Sequence, residues 1–364
     1  MEGVALNQLF SGAYAGRRRV LVTGHTGFKG SWLCMWLTAL GADVTGLALA
    51  PDTEPSHWPL LGLNEVDDLR VDLRDAEAVR QTLLAAAPEV IFHLAAQPLV
   101  RRSYREPVNT FDTNVMGLIN LLEAVRVTPS VRVVVNATTD KVYLEQATVA
   151  GYREDHPLGG HDPYSTSKAC AELVTECYRK SFFDDGGPRV ATARAGNVIG
   201  GGDWSQDRLV PDLVRAASSG SALQIRYPDA VRPWQHVLDP LAGYLRLGER
   251  LLAGDAVEGP WNFGPAADAT LPVHALVSLM QSHWPQLRSE QQEGPHPHEA
   301  AMLRLDASRA AQHLGWRPVW DAQTTLQSTI QWYRNYYERG QLRSRADLQA
   351  YVDAAHLSGL EWAA

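Results

Sequence analysis

Cysteine is scarce in this chain of 364 residues: Cys34, Cys170 and Cys177 are all there is, with no ligand-like spacing between them. That argues against a disulfide scaffold and suits a reducing compartment. Long hydrophobic runs are missing as well. The most apolar helical stretch, SWLCMWLTAL, is too short to cross a bilayer. The basic residues of GRRRVLVTGHTG precede only a strand's worth of apolar residues and a glycine turn, unlike a secretory signal. Positive charge is in deficit: 33 Lys and Arg against 41 Asp and Glu give a net charge of -8. A general nucleic-acid or membrane-surface binder needs a positive field, so both classes are excluded, and an anionic ligand must be met by local cations. Low-complexity linkers and internal repeats are also lacking. These deficits predict a cytoplasmic protein, and a hydrophobic content of 45% is enough for a large core.

What the sequence does have is alternation. Strands are predicted at 20–23, 44–49, 69–71, 90–94, 131–137 and 190–195. Between them the spacing predicts helices at 29–40, 76–87, 110–126 and 164–182. Strand–helix–strand repetition with short connections implies a Rossmann-type, doubly wound parallel sheet covered on both faces, an α/β fold. After about residue 196 the alternation weakens, and glycine, proline and tryptophan increase. Isolated helices at 209–218, 240–252, 273–282 and 324–338 suggest a smaller, irregular substrate-binding domain. The expected division is 17–195 and 196–364, with the second part able to interleave with the sheet.

Gly24, Gly27 and Gly30 in VLVTGHTGFKGSWL directly follow the first strand and open the first helix. Glycines there permit a tight turn and close approach of a diphosphate, which the helix N-terminus attracts. The loop makes Thr26, Phe28 and Lys29 candidate dinucleotide contacts as well. An acid is expected about 20 residues on, yet the second strand ends in LALAP and the nearest acid is Asp52. Residues 48–69 contain no lysine or arginine to meet a 2′-phosphate, so NAD is favoured over NADP. Asp72, with Leu73 beside it, is placed to accept from the adenine amino group; a helix cap is the bland alternative. Leu94, Ala95 and Ala96 end the fourth strand with little bulk, where a cofactor could lie against the backbone.

DPYSTSKACAEL places Tyr164 and Lys168 four apart at a helix start, hence on one face. A phenol beside an ammonium can serve as a base near neutrality. TTDKVY puts Thr139, Asp140 and Lys141 at a strand end, where charge is out of place unless chemistry needs it.

The order of glycine trio, HLAA, NVMG, threonine-bearing strand end and Tyr-x-x-x-Lys resembles the extended short-chain dehydrogenase/reductases that act on nucleotide sugars. More narrowly, GHTGFKGSWL, AAQPLVRRSYREP, TTDKVY, GYREDHPLGGHDPYSTSKACAELV, RAGNVIGGGDW and RPWQHVLDPLAGYL look like the CDP-glucose 4,6-dehydratases. The resemblance covers nearly the whole chain. It implies Thr139 as the hydroxyl at the sugar O4, Tyr164 as base, Lys168 as its partner and Asn114 as a supporting residue. A dehydratase, unlike an epimerase, also needs an acid at the C6 hydroxyl and a base at C5. Asp140 is assigned the first role and Lys141 the second. Related dehydratases carry glutamate at the position of Lys141, so a lysine base here implies a depressed pKa.

Arg208, Arg226 and Arg232 are the arginines suited to a substrate diphosphate. By the resemblance Arg232 contacts the pyrophosphate, Asn197 donates to the substrate, and Arg208 with Leu209 lines the base pocket. The loop LEQATVAGYRE lacks the asparagine and tryptophan of close relatives. His296 and His298, between prolines, read as an ordinary loop rather than a metal site. The helices at 110–126 and 164–182 carry apolar faces that family members use for pairing subunits, so a homodimer is expected.

Overall fold

The computed structural model describes residues 4–146, 151–184, 186–266, 270–291 and 304–364. Seven parallel strands form the central sheet: β1 (Arg19–Thr23), β2 (Asp43–Ala48), β3 (Asp67–Arg70), β4 (Val90–His93), β5 (Val133–Ala137), β6 (Arg189–Ala195) and β7 (Gly259–Phe263). Their spatial order is β7-β6-β5-β4-β1-β2-β3. The central strands are buried on both faces and read accordingly as continuous apolar runs, VLV, VIF and VVV. β3 is the exposed edge, with the charged sequence DDLR, which discourages further strand pairing.

Helices cover both faces. α1 (Phe28–Ala39) buries every residue from Gly30 to Leu37, so it is a core helix rather than an amphipathic one. α2 (Ala76–Ala86) and α3 (Gly117–Arg126) lie on the other face. α4 (Pro163–Phe182) starts with Pro163 after an Asp162 cap that accepts from Ser165 N at 3.0 Å. Beyond it come α5 (Leu209–Ser218), α6 (Leu238–Ala253), α7 (Ala322–Arg339) and α8 (Ser344–Leu357).

Three features bear on the expected plan. The helix expected at 110–126 is broken: Pro107–Phe111 leads into a π-helical turn, Asp112–Met116, before α3. The second half is interleaved with the first, because β7 pairs with β6 and α6 packs on β5 and β6. And α8, which is not among the expected helices, docks onto α1. Trp36 meets the Tyr351 ring edge-on at 5.8 Å. His57 bridges Ser31 of α1 and Ser344 of α8 through hydrogen bonds of 2.8 Å on each side. No helix among the described residues is long and apolar enough to cross a membrane.

Candidate functional site

Strand order reverses between β1 and β4, and ligands of such sheets bind outside the strand ends there. Gly24 follows β1 with φ +74°, and a Cβ on it would stand 2.7 Å from Ala95 N. A Cβ on Gly30 would sit 2.1 Å from Gly24 O. Gly24 therefore lets the turn meet the end of β4, and Gly30 lets α1 close onto the turn. Gly27 caps α1 with no side-chain hydrogen bond, and the first turn holds no acid. These N–H groups and their positive end of the dipole fit a dinucleotide diphosphate.

Thr26 donates to Leu49 O at 3.0 Å, tying the loop to the end of β2. Leu94 N and Ala95 N both donate to Thr23 Oγ1. Leu73 is buried against Gly117. Asp72 does not cap α2, a role taken by Asp75; its carboxylate accepts from Arg74 at 2.6–3.1 Å. One cation does lie beside β2 after all: Arg70 pairs in register with Ala48. Asp68 holds that guanidinium at 2.7 Å and would itself repel a 2′-phosphate.

The second cluster stands where β5 ends. Thr139 Oγ1 donates to Asp140 Oδ1 at 3.0 Å, and Lys141 Nζ reaches the same oxygen at 3.2 Å. Asp140 is 2% exposed. A Cβ on Gly196 would lie 3.1 Å from Asp140 Oδ2, so the glycine of RAGN makes room for the carboxylate. α4 brings Tyr164 and Lys168 alongside, and Lys168 Nζ donates to Ala137 O at 3.1 Å. Asn114, on the π-helical turn, donates to Ser167 Oγ at 2.8 Å and accepts from Gln97 N at 2.8 Å. Single π turns recur at functional sites, and here one aims an amide at the helix carrying the tyrosine.

Electrostatics join these groups. Burial raises the Tyr164 phenol in the ligand-free protein, while Lys141, Thr139 and Arg208 oppose the rise. Two cations, Lys141 and Arg208, thus act on the phenol in the ligand-free protein. Burial brings Lys168 down to about 8. For Lys141 burial acts in the same direction, but Asp140 and Tyr164 outweigh it and hold its pKa above the usual lysine value. The depressed pKa implied for a lysine base is not found in the ligand-free state. Lys29 is lowered to about 7 by burial, then by Arg208, Lys168 and Lys141, against the pull of Asp140. Its Nζ lies 3.4 Å from Tyr244 Oη on α6.

On the substrate side, Arg208 caps the start of α5 next to Leu209 and pairs with Asp203 at 3.0 Å. Arg232, 7% exposed, acts electrostatically on Lys141. Asn197 follows Gly196, and its carbonyl accepts from Gln235 N at 3.4 Å. Arg226 follows the short strand Leu223–Ile225 and is half-buried. Sequence reasoning missed Tyr244, Glu172 and Arg194. Glu172 was available: with Tyr164 and Lys168 it continues a polar stripe at four-residue spacing on a buried helix face. His296 and His298 lie outside the described residues, as do 147–150 of the LEQATVAGYRE loop. Among the described residues no group of three or more His, Cys, Asp or Glu could hold a metal.

Comparison with known proteins agrees with this geometry. The family described as "NAD dependent epimerase/dehydratase family" matches residues 20–264. The chain is 45% identical over 348 residues to a CDP-glucose 4,6-dehydratase of Salmonella typhimurium, covering 93% of this chain and 97% of that one. It is 27% identical to a dTDP-glucose 4,6-dehydratase of Xanthomonas campestris, over 86% of this chain and 92% of the other. Among solved structures, a Streptomyces venezuelae dTDP-glucose 4,6-dehydratase with NAD bound superposes with a TM-score of 0.74 at 26% identity, covering 89% and 100% of the two chains. A Thermus thermophilus UDP-glucose 4-epimerase in complex with NAD gives 0.75 at 28% identity, covering 87% and 99%.

Proposed function

The chain belongs to the NAD dependent epimerase/dehydratase family, and on that premise we propose that it is a CDP-glucose 4,6-dehydratase, a hydro-lyase giving CDP-4-dehydro-6-deoxy-glucose. One observation carries the reading beyond the family: the Asp140–Lys141 pair beside Thr139. A 4-epimerase or reductase needs a base at O4 and no further acid–base pair. Water elimination needs both.

NAD, when bound, would supply the hydride chemistry, as acceptor for C4 and donor to C6. Gly24, Thr26, Gly27, Phe28, Lys29 and Gly30 would hold its diphosphate, Asp72 and Leu73 its adenine side, and Leu94, Ala95, Ala96 and Asn114 the inner end. Thr139 positions the sugar O4 and Tyr164 takes its proton, with Lys168 as the phenol's partner. The 4-ketone acidifies C5–H. Asp140 then protonates the departing C6 hydroxyl while Lys141 removes the C5 proton. Moving one proton from the Lys141 ammonium to Asp140 across their 3.2 Å contact makes the acid and the base together. Desolvation of the pair by a bound sugar favours that neutral form. Arg232 and Arg226 would hold the nucleotide diphosphate, Arg208 and Leu209 would line the base pocket and Asn197 would donate to the substrate, which gives the part after residue 195 mainly to substrate binding. The proposal includes a cytoplasmic homodimer. The exposed Val108, Met116, Leu173 and Phe182, on or beside the helices expected to pair, support the dimer.

The test is to give the enzyme CDP-, dTDP-, UDP- and GDP-glucose with catalytic NAD. Loss of one water from the CDP sugar, with C4 deuterium recovered in the C6 methyl group, is expected. Changed stereochemistry without loss of water would make it an epimerase.

A further inference from the structure

The reacting side chains ride on two separate elements: Tyr164 and Lys168 on α4, and Thr139, Asp140 and Lys141 on the turn after β5. Both must address one sugar ring. Between them lies a buried ion pair that the chemistry above does not use, Glu172 with Arg194, whose side chains are 4% and 3% exposed. Glu172 Oε1 accepts from Thr138 Oγ1 at 2.5 Å and from Arg194 Nε at 3.0 Å. Its Oε2 accepts from Thr192 Oγ1 at 2.6 Å and from Arg194 Nη2 at 2.9 Å. Arg194 Nη1 then donates to Tyr143 Oη at 2.7 Å, and that hydroxyl donates to Asn262 Oδ1 on β7 at 2.8 Å.

We propose that Glu172 and Arg194 are positioning residues for the dehydration. Together they clamp the catalytic turn at Thr138, immediately before it, and at Tyr143, immediately after it, and lock it to the helix that carries the base. The inference rests on the dehydratase reading above. A buried ion pair is a poor source of stability, because desolvation offsets its attraction. Its worth lies in directed hydrogen bonds, and here they lead to the two ends of one turn. The Thr138 arm sets Thr139 and hence the alignment of O4 with Tyr164. The Tyr143 arm sets Asp140 and Lys141 against C5 and C6. A misplacement of about 1 Å at such groups costs roughly 100-fold in rate.

The two arms can be cut singly while the ion pair stays whole. Tyr143→Phe removes the hydroxyl on Arg194; Thr138→Val removes the one on Glu172. Holoenzyme is mixed with CDP-glucose, cofactor reduction is followed by absorbance, and water loss by mass. Tyr143→Phe is expected to reduce cofactor at the normal rate and then accumulate it, with elimination slowed roughly 10- to 100-fold. Thr138→Val is expected to slow cofactor reduction itself, and Thr138→Ser to restore it. If both variants slow every step equally, or leave both steps normal while only Tm falls, the pair is merely structural and the proposal is overturned. If the unmodified enzyme dehydrates none of the four nucleotide sugars, the functional reading falls and takes this proposal with it. Normal dehydration by the unmodified enzyme with unsplit variants removes the clamp alone.

Discussion

In the proposed mechanism Tyr164 and Lys141 act on different bonds, so their loss should look different. Tyr164→Phe keeps the ring in its buried site but cannot take the O4 proton. Turnover should fall by about 10²–10⁴-fold, with no reduced cofactor in stopped-flow traces. Lys141→Ala leaves C4 oxidation intact and blocks the next step, so reduced cofactor should build up after mixing with substrate. Normal dehydration by that variant would give the C5 proton to another group. Lys29 allows a test without substrate. Its pKa of about 7 lies below the usual 10.5 because burial penalises the ammonium. Between those values the unfolded chain binds more protons than the folded one, so the residue's contribution to stability rises with pH. Lys29→Met should therefore stabilise the ligand-free protein most at and below pH 7, by about 1 kcal/mol or roughly 2 °C in Tm. That advantage should shrink as pH climbs toward 10.5, while NAD binding weakens. Melting curves at several pH values, with calorimetric titration, check both halves.

At the scale of elements, the glycine loop makes the sharpest demand. Gly30→Ala would drive a methyl group to 2.1 Å from Gly24 O. α1 must shift, so Tm should drop by the equivalent of about 1–3 kcal/mol, and calorimetry should find NAD affinity largely lost. Wild-type affinity would mean that the turn and helix need not meet so closely. This loop was legible in the sequence because three glycines between an apolar run and an apolar helix admit few structures. The central strands β1, β4 and β5 were legible for a similar reason, since buried parallel strands are continuous apolar runs, whereas the exposed, charged β3 showed only its Leu69 end. β7, GPWNF, was not legible: it is short, starts at glycine and proline, and gains its place only from β6 beside it. The π-helical turn was equally hidden, because DTNVM has ordinary helical residues and the extra residue per turn is fixed by packing. In the site, Thr139, Asp140, Lys141, Tyr164 and Lys168 announced themselves as charge and hydroxyl at element ends. Lys141's raised pKa did not, because it depends on Asp140 and Tyr164 facing it across space.

For the molecule as a whole, the paired-subunit proposal makes a plain demand. Leu173, 59% exposed on α4, should lie in the interface. A Leu173→Asp variant should sediment as a monomer where the unmodified protein sediments as a dimer, without loss of Tm in dilute solution. An unmodified protein that sediments as a monomer would end that part of the proposal. The docking of α8 reaches further. His57 touches Ser31, one residue past Gly30, and on its other side Ser344 at the head of α8. The connection before that helix, Gly340 to Leu342, is exposed and flanked by Arg339 at the end of α7 and Arg343. Tightening the cofactor loop therefore also tightens the seat of the tail, so trypsin cleavage there should slow when NAD is added, making a simple gel a gauge of coenzyme occupancy.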